Sequence, residues 1–309
     1  MNKNIKILLA VFAVLITVYF LFFRTGEKVS TEKIDAKLFV ADSSKIDKIE
    51  IVKNSETILL EKVNNQWKLT KPVEYPADTT NVYLLLRDLK NFKLESVASE
   101  NPVKFSSYLD SVNNAKVSTY QEGVLLGTFI LGKSQANDNS YIKKPEENRI
   151  LLASNLTASL FTRSAKDFRN KFILSIMPYS VNSVSFKSTD SNNVDFSVTK
   201  DTAGKWNISG DSVSFSVMEG FLNLLANFNT DDFIDSVITD LPVPTFTVTV
   251  NAAGQPTVIN LYKEKSSDPN AAPSYITQIS GNKQLFRLFG ALASQLMKKR
   301  TDFIPPKQN

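Results

Sequence analysis

The side chains best suited to chemistry fall in three short segments. Asp231, Asp232 and Asp235 could offer carboxylate oxygens to a hard cation such as Ca2+. Glu146 and Glu147 are the residue type of glycoside hydrolysis, which needs two carboxyls meeting across a cleft. Leu131-Gly132-Lys133-Ser134 has the ending of a phosphate-binding loop. Each falls short of its chemistry. Calcium loops space their ligands with turn-forming glycine, whereas Phe233 and Ile234 occupy that spacing here, so 231–235 reads as a solvated turn after a helix. The Glu pair reads as the solvated tip of a polar loop. The phosphate-loop ending lacks its earlier glycine and follows a strand in a hairpin region, and no G-x-G-x-x-G exists.

Composition narrows the chemistry further. The 309 residues include no cysteine and no histidine. Thiolate chemistry, disulfides, Ser-His-Asp triads and nearly every zinc or non-haem iron site are excluded. The reading therefore contains no catalytic residue, no cofactor and no metal. The apolar fraction of 42% and charged fraction of 22% are those of a globular chain. The net charge of +5 is uneven: Lys3, Lys6, Arg24 and Lys28 outweigh Glu27 by +3 within residues 1–28, leaving +2 for the rest. No basic stripe marks the remainder, so neither nucleic acid nor nucleotide is an expected partner.

The elements that hold these residues begin with an apolar run. Residues 5–23 carry one charge, Lys6, whose stem can snorkel, so about 19 residues can cross a bilayer core of roughly 30 Å. Tyr19, Phe20, Phe22 and Phe23 place aromatics near one end. The run is too long for a signal peptide and ends without a small-x-small cleavage site. Lys3 and Lys6 favour a cytoplasmic N-terminus. The expected organisation is a single-pass inner-membrane protein: anchor 1–28 in the lipid bilayer through residues 5–23, linker 29–45, and an extracytoplasmic main domain.

The main domain reads as the same unit written twice, 46–175 and 176–309. Strands alternating with period two lead to Trp67 in the first copy and Trp206 in the second, the only two tryptophans of the chain. Each Trp is read as ending a strand before a helix and sealing that helix against the sheet. A helix follows in each, over 79–92 and 214–228, capped by Asp78 and by Ser212 or Ser214. Val82, Leu85, Leu86, Leu89 and Phe92 line the first; Val217, Phe221, Leu224, Leu225 and Phe228 line the second. Strands 116–120 and 126–131 match 246–250 and 256–261, and Ser140-Tyr141-Ile142 matches Ser274-Tyr275-Ile276. A short helix closes each copy, over 156–161 and 284–289, and Lys166-Asp167-Phe168 answers Thr301-Asp302-Phe303. The class is α+β: an N-terminal transmembrane helix, then two tandem related units of mostly antiparallel sheet and helix.

Trp67-Lys-Leu-Thr-Lys-Pro72, Asp78 before an apolar helix, Phe129-Ile-Leu-Gly-Lys133, Tyr141-Ile142 and 166–174 together resemble the bacterial domain-of-unknown-function family 4340. Tyr108-Leu109 stands where that family usually has Gly-Leu, and Asn170 where Asp is common. The resemblance implies a non-enzymatic accessory or interaction subunit of an ABC-type transport or gliding-motility-like envelope complex, with an ABC-type permease or other envelope proteins as partners. It assigns no catalytic residues. The alternative is an envelope protein binding glycan or peptide in the cleft between the repeats. Trp67, Pro72, Tyr141, Trp206 and Tyr275 are the structural or candidate interaction residues.

Overall fold

The computed structural model describes residues 5, 11–18, 45–110, 114–190, 195–268 and 270–304. The expected anchor and linker fall mostly outside the described residues. Residues 11–18 are helical, and among the described residues no helix is long and apolar enough to cross a membrane. The chain divides between Arg169 and Asn170, rather than after 175, into two compact units.

Unit 1 runs β1 (Lys48–Lys53), β2 (Glu56–Val63), β3 (Gln66–Lys71), β4 (Tyr75–Pro76), α1 (Thr79–Asn91), β5 (Lys93–Ser99), β6 (Ala115–Gln121), β7 (Val124–Gln135), β8 (Asn139–Lys143), β9 (Ile150–Ser154) and α2 (Ala158–Phe161). Its nine strands form one antiparallel sheet in the order β4-β3-β2-β1-β6-β7-β8-β9-β5. Tight turns set the registers. Asn54-Ser55, Asn64-Asn65, Glu122-Gly123 and Asn137-Asp138 all hold both central residues at positive φ, the hairpin geometry that matches strand twist.

Unit 2 runs β10 (Phe172–Leu174), β11 (Val181–Ser188), β12 (Phe196–Lys200), β13 (Trp206–Ile208), β14 (Asp211–Ser212), α3 (Phe215–Ala226), β15 (Phe228–Asn229), β16 (Asp232–Ile234), β17 (Phe246–Ala252), β18 (Gln255–Lys263), β19 (Ser274–Ile279), β20 (Leu285–Phe289) and α4 (Gly290–Leu296). Its nine-stranded sheet has the order β14-β13-β12-β11-β17-β18-β19-β20-β16, strand for strand that of unit 1. The small pair β10-β15 stands apart from it.

One face of each sheet is apolar and carries the helices. In unit 1, Ile49, Ile51, Leu60, Val117, Phe129 and Leu131 pack with Val82, Leu85 and Leu89 of α1 and Phe161 of α2. Asp78 caps α1 by accepting from Asn81 N at 2.9 Å. In unit 2, Met218, Phe221, Leu222 and Leu225 form the buried stripe of α3. The expected stripe through Val217 and Leu224 is therefore rotated, and Phe228 leaves the helix to enter β15. Ser214 precedes α3 without a side-chain cap bond.

A repeated device closes both units. Ala77 N donates to Trp67 O at 3.0 Å, and Val213 N to Trp206 O at 3.2 Å. The next amides, Asp78 N and Ser214 N, donate to Phe168 O and Phe303 O at 2.8 and 2.7 Å. Phe168 and Phe303 are fully buried. Each sits in a turn pinned by an aspartate: Asp167 accepts from Ser164 N at 3.0 Å, and Asp302 from Lys299 N at 2.9 Å.

Several expectations need correction. Residues 285–289 are strand β20, not helix; Phe286 and Leu288 are buried in alternation and the closing helix is α4. A run of Leu and Phe fits both periods, and pairing with β16 and β19 decides for strand. Strands β5, β9 and β16 were not expected. Both tryptophans lie at the start of a strand instead of its end, Trp67 second in β3 and Trp206 first in β13, pairing with Lys62 and Lys200 in the same register.

Candidate functional site

Within each unit the singled-out residues do not converge. In unit 1, Trp67 lies on β3 and Tyr141 on β8, with β2, β1, β6 and β7 between them, about 24 Å at one strand spacing each. In unit 2, Trp206 on β13 and Tyr275 on β19 are separated the same way. Trp67 is half-buried against the unit 1 core. Trp206 carries Lys200 Nζ at 5.5 Å from its ring centroid. Pro72 is exposed in the turn after β3.

The two tyrosines are not equivalent. β7 pairs Leu131 with Ile142, whereas β18 pairs Leu261 with Thr277. The structural match of Tyr275 is therefore Ser140, and that of Tyr141 is Ile276. A shift of one residue moves a side chain to the other face. Tyr141 lies on the outer face under Tyr108, edge-on at 4.8 Å. Tyr275 lies on the helix-bearing face, and burial raises its phenol above the ordinary value.

The acidic segments are structural. Asp232 opens β16, where Phe233 and Ile234 are buried, so 231–235 is a sheet edge and not a solvated turn. Arg287 grips Glu264 through two hydrogen bonds of 2.8 and 2.9 Å and reaches Asp232 at 3.3 Å. Those Arg287 bonds hold the Glu264 carboxyl below the usual carboxylate range. Asp231 accepts from Phe289 N at 2.7 Å. Among the described residues no acidic group has the makings of a metal site. Glu147 is half-buried and not a solvated tip, bridged to Lys144 at 2.6 Å and Arg149 at 2.5 Å. Burial raises its carboxyl, and the two cations outweigh that to leave it low.

The phosphate-loop ending is continuous strand. Gly132 is pressed by the Tyr108 carbonyl, which a Cβ would meet at 2.5 Å. Lys133 Nζ donates to Ser106 O and Ser107 O at 3.1 and 3.0 Å, holding down the short helix Phe105–Tyr108.

What remains as surface for recognition is the outer face of each sheet. The two differ. Unit 1 presents charge: Lys48 pairs with Glu61 at 3.3 Å, Thr70 donates to Glu61 at 2.6 Å, and Tyr120 to Glu50 at 3.2 Å. Unit 2 presents a neutral ladder at the middle of its face, between exposed Lys187 and the Arg287–Glu264–Asp232 cluster. Thr199 meets Asn207 at 3.3 Å, Ser185 meets Ser197 at 2.8 Å, Asn251 donates to Ser183 at 2.9 Å, and Thr247 to Asn260 at 3.0 Å. Tyr262 donates to Gln278 at 3.0 Å at its far end. In the sequence these positions are simply the polar half of the period-two alternation. The edges offer less. β4 and β14 are two residues long and β16 three, and the longer β5 is interrupted by two register shifts, all devices that discourage strand addition.

A family model described as domain of unknown function (DUF4340) matches residues 67–247. Neither the curated proteins nor the solved structures give a match.

Proposed function

Because the chain belongs to the DUF4340 family, whose name assigns it no activity, we propose that it serves as a non-enzymatic interaction subunit, anchored in the inner membrane through residues 5–23. Its N-terminus is cytoplasmic and its two units stand outside the cytoplasm. Its partner is an envelope protein, an ABC-type permease in the first instance. The apolar run and its flanking charges support the anchor.

The observation that carries the reading is the neutral ladder on the outer face of unit 2. Its hydroxyls and amides are already paired to each other on a rigid sheet. A partner meets side chains whose rotamers are set, so little ordering is left for association. The sheet faces take over the role that open edges would have had.

The test places a photo-crosslinking residue at Thr249 on this face, and a second at Glu50 in unit 1, in the full-length chain within its native membranes. Crosslinking of a transport permease or ATPase from Thr249 but not Glu50 is the expected result. Recovery of uncrosslinked chain alone from both positions, with intact membranes, would overturn the proposal.

A further inference from the structure

The duplication supplies an internal comparison at one end of the helix-bearing face of each sheet. In unit 1, Lys53 ends β1, and its Nζ donates to Thr162 O at 2.5 Å, just beyond α2. Register carries these positions into unit 2. Ile51 pairs with Val117 as Phe186 pairs with Val248, so Lys53 corresponds to Ser188. The pinned turns align Ser164 with Lys299, so Thr162 corresponds to Met297. The lysine strut of unit 1 is thus a serine in unit 2, and the mouth there is open. The opening measures about 470 Å3, and Ser188, Lys263, Tyr275, Met297 and Lys299 line it. That volume lies in the range of small-molecule sites, about 300–1,000 Å3.

The donor inventory selects a ligand. The Lys263, Lys299 and Tyr275 side chains make no hydrogen bond within the described residues. Ser188 Oγ accepts from Asp190 N at 3.1 Å and keeps its proton to donate. Thr245 spends its hydroxyl proton on Leu261 O at 2.9 Å. Two ammonium groups, a phenol and a hydroxyl therefore remain as donors, and a carboxylate has about four lone-pair sites to receive them. Phe246 and Met297 supply apolar wall beside them. Asp190 also lines the opening, so the described lining residues carry a net charge of one, which suits a monoanion better than a phosphate dianion.

We propose that the mouth of unit 2 binds a small organic monocarboxylate with an apolar tail, its carboxylate held by Lys263, Lys299, Tyr275 and Ser188. The site is independent of the partner surface argued above, since it uses the opposite face of the sheet.

The test uses the full-length chain in lipid nanodiscs, with hexanoate as probe and hexylamine and inorganic phosphate as controls. Binding is read by calorimetry and by hydrogen exchange. Hexanoate at about 10 mM, tenfold above a Kd of 1 mM, is expected to slow exchange at 186–190 and 295–300. Neither control should do so. Ser188→Lys, which rebuilds the strut of unit 1, is expected to weaken hexanoate at least tenfold. Lys263→Met and the near-isosteric Tyr275→Phe should each weaken it, the former about tenfold. Unchanged exchange at 215–226, the helix of the same unit, verifies the fold of each variant, and Tyr275→Phe decides if Ser188→Lys does not fold. No response to hexanoate, an equal response to hexylamine, preference for phosphate, or undiminished binding in the folded variants would each overturn the proposal.

Discussion

Replacing Phe303 by alanine should unfasten unit 2 while leaving unit 1 intact. The ring is fully buried, with centroids 5.5 Å from Phe186, 5.9 Å from Phe196 and 5.9 Å from Phe221. Its backbone carbonyl holds the amide that starts α3. Truncating a buried Phe costs about 3–5 kcal/mol through lost transfer energy and the cavity left behind. The aromatic pairs, about 0.5–1.5 kcal/mol each, lie within that figure because neighbours are not additive. At roughly 2–4 °C per kcal/mol, Tm should fall by on the order of 10 °C. The assay is denaturant-dependent hydrogen exchange on the full-length chain, following 79–91 and 215–226 separately. The expected result is early opening of 215–226 with 79–91 unmoved. Phe303→Leu, which keeps most of the volume, should cost under about 1.5 kcal/mol. A loss below about 1 kcal/mol for Phe303→Ala, or simultaneous opening of both helices, would refute the reasoning that this turn closes one unit only.

Further variants probe the other packed sites. Gly132→Ala should cost about 1–3 kcal/mol by overpacking against the Tyr108 carbonyl, whereas Gly220→Ala in α3, where a Cβ meets nothing within 4 Å, should stabilise by roughly 0.5–1 kcal/mol; urea midpoints separate the two. Asp88 is buried in α1 and accepts from Thr157 N at 2.8 Å and Arg87 Nη2 at 2.7 Å. Asp88→Ala should cost about 1–3 kcal/mol by leaving that amide unmet, and Asp88→Asn less, as circular dichroism melts would show. Glu264 has a folded pKa lowered by Arg287, so its contribution is complete above its unfolded pKa and is lost as pH falls through the folded value. Glu264→Gln should therefore be less stable than the parent at pH 7, with the gap closing on acidification; a constant gap would contradict the assignment.

The legible part of the fold was the part written in period two and in aromatic landmarks. The Trp67–Trp206 match holds to the residue because both stand in the third strand opposite the equivalent lysine. The Phe168–Phe303 match holds because each is a fully buried stopper. The tyrosine match failed by one position. Identity of the letters in Ser-Tyr-Ile outweighed register, and register is fixed by Leu131 and Leu261 on the neighbouring strand. β20 was misread because Leu285, Phe286, Leu288 and Phe289 suit either period, and only the neighbours β16 and β19 decide. Of the mouth residues, Tyr275 alone was singled out, and for a different reason. Lys53 against Ser188 was visible at the repeat spacing, but a lysine lost from a strand end gives no signal until its acceptor is known.

Two such divergent copies keep one fold because the bonds closing each unit are made by main chain. Trp67 O and Trp206 O receive amides from residues free to be Ala77 or Val213. Phe168 O and Phe303 O receive the amides of Asp78 and Ser214, of which only Asp78 also uses its side chain as a cap. Backbone groups must be satisfied whatever side chain they carry. Selection on closure therefore fixes a few large rings and turn-pinning aspartates and leaves the intervening positions open to change. That freedom is what let the middle of the outer face carry ion pairs in unit 1 and a ladder of hydroxyls and amides in unit 2. It also let a lysine that reaches across to Thr162 O in unit 1 become a serine at the edge of the opening in unit 2.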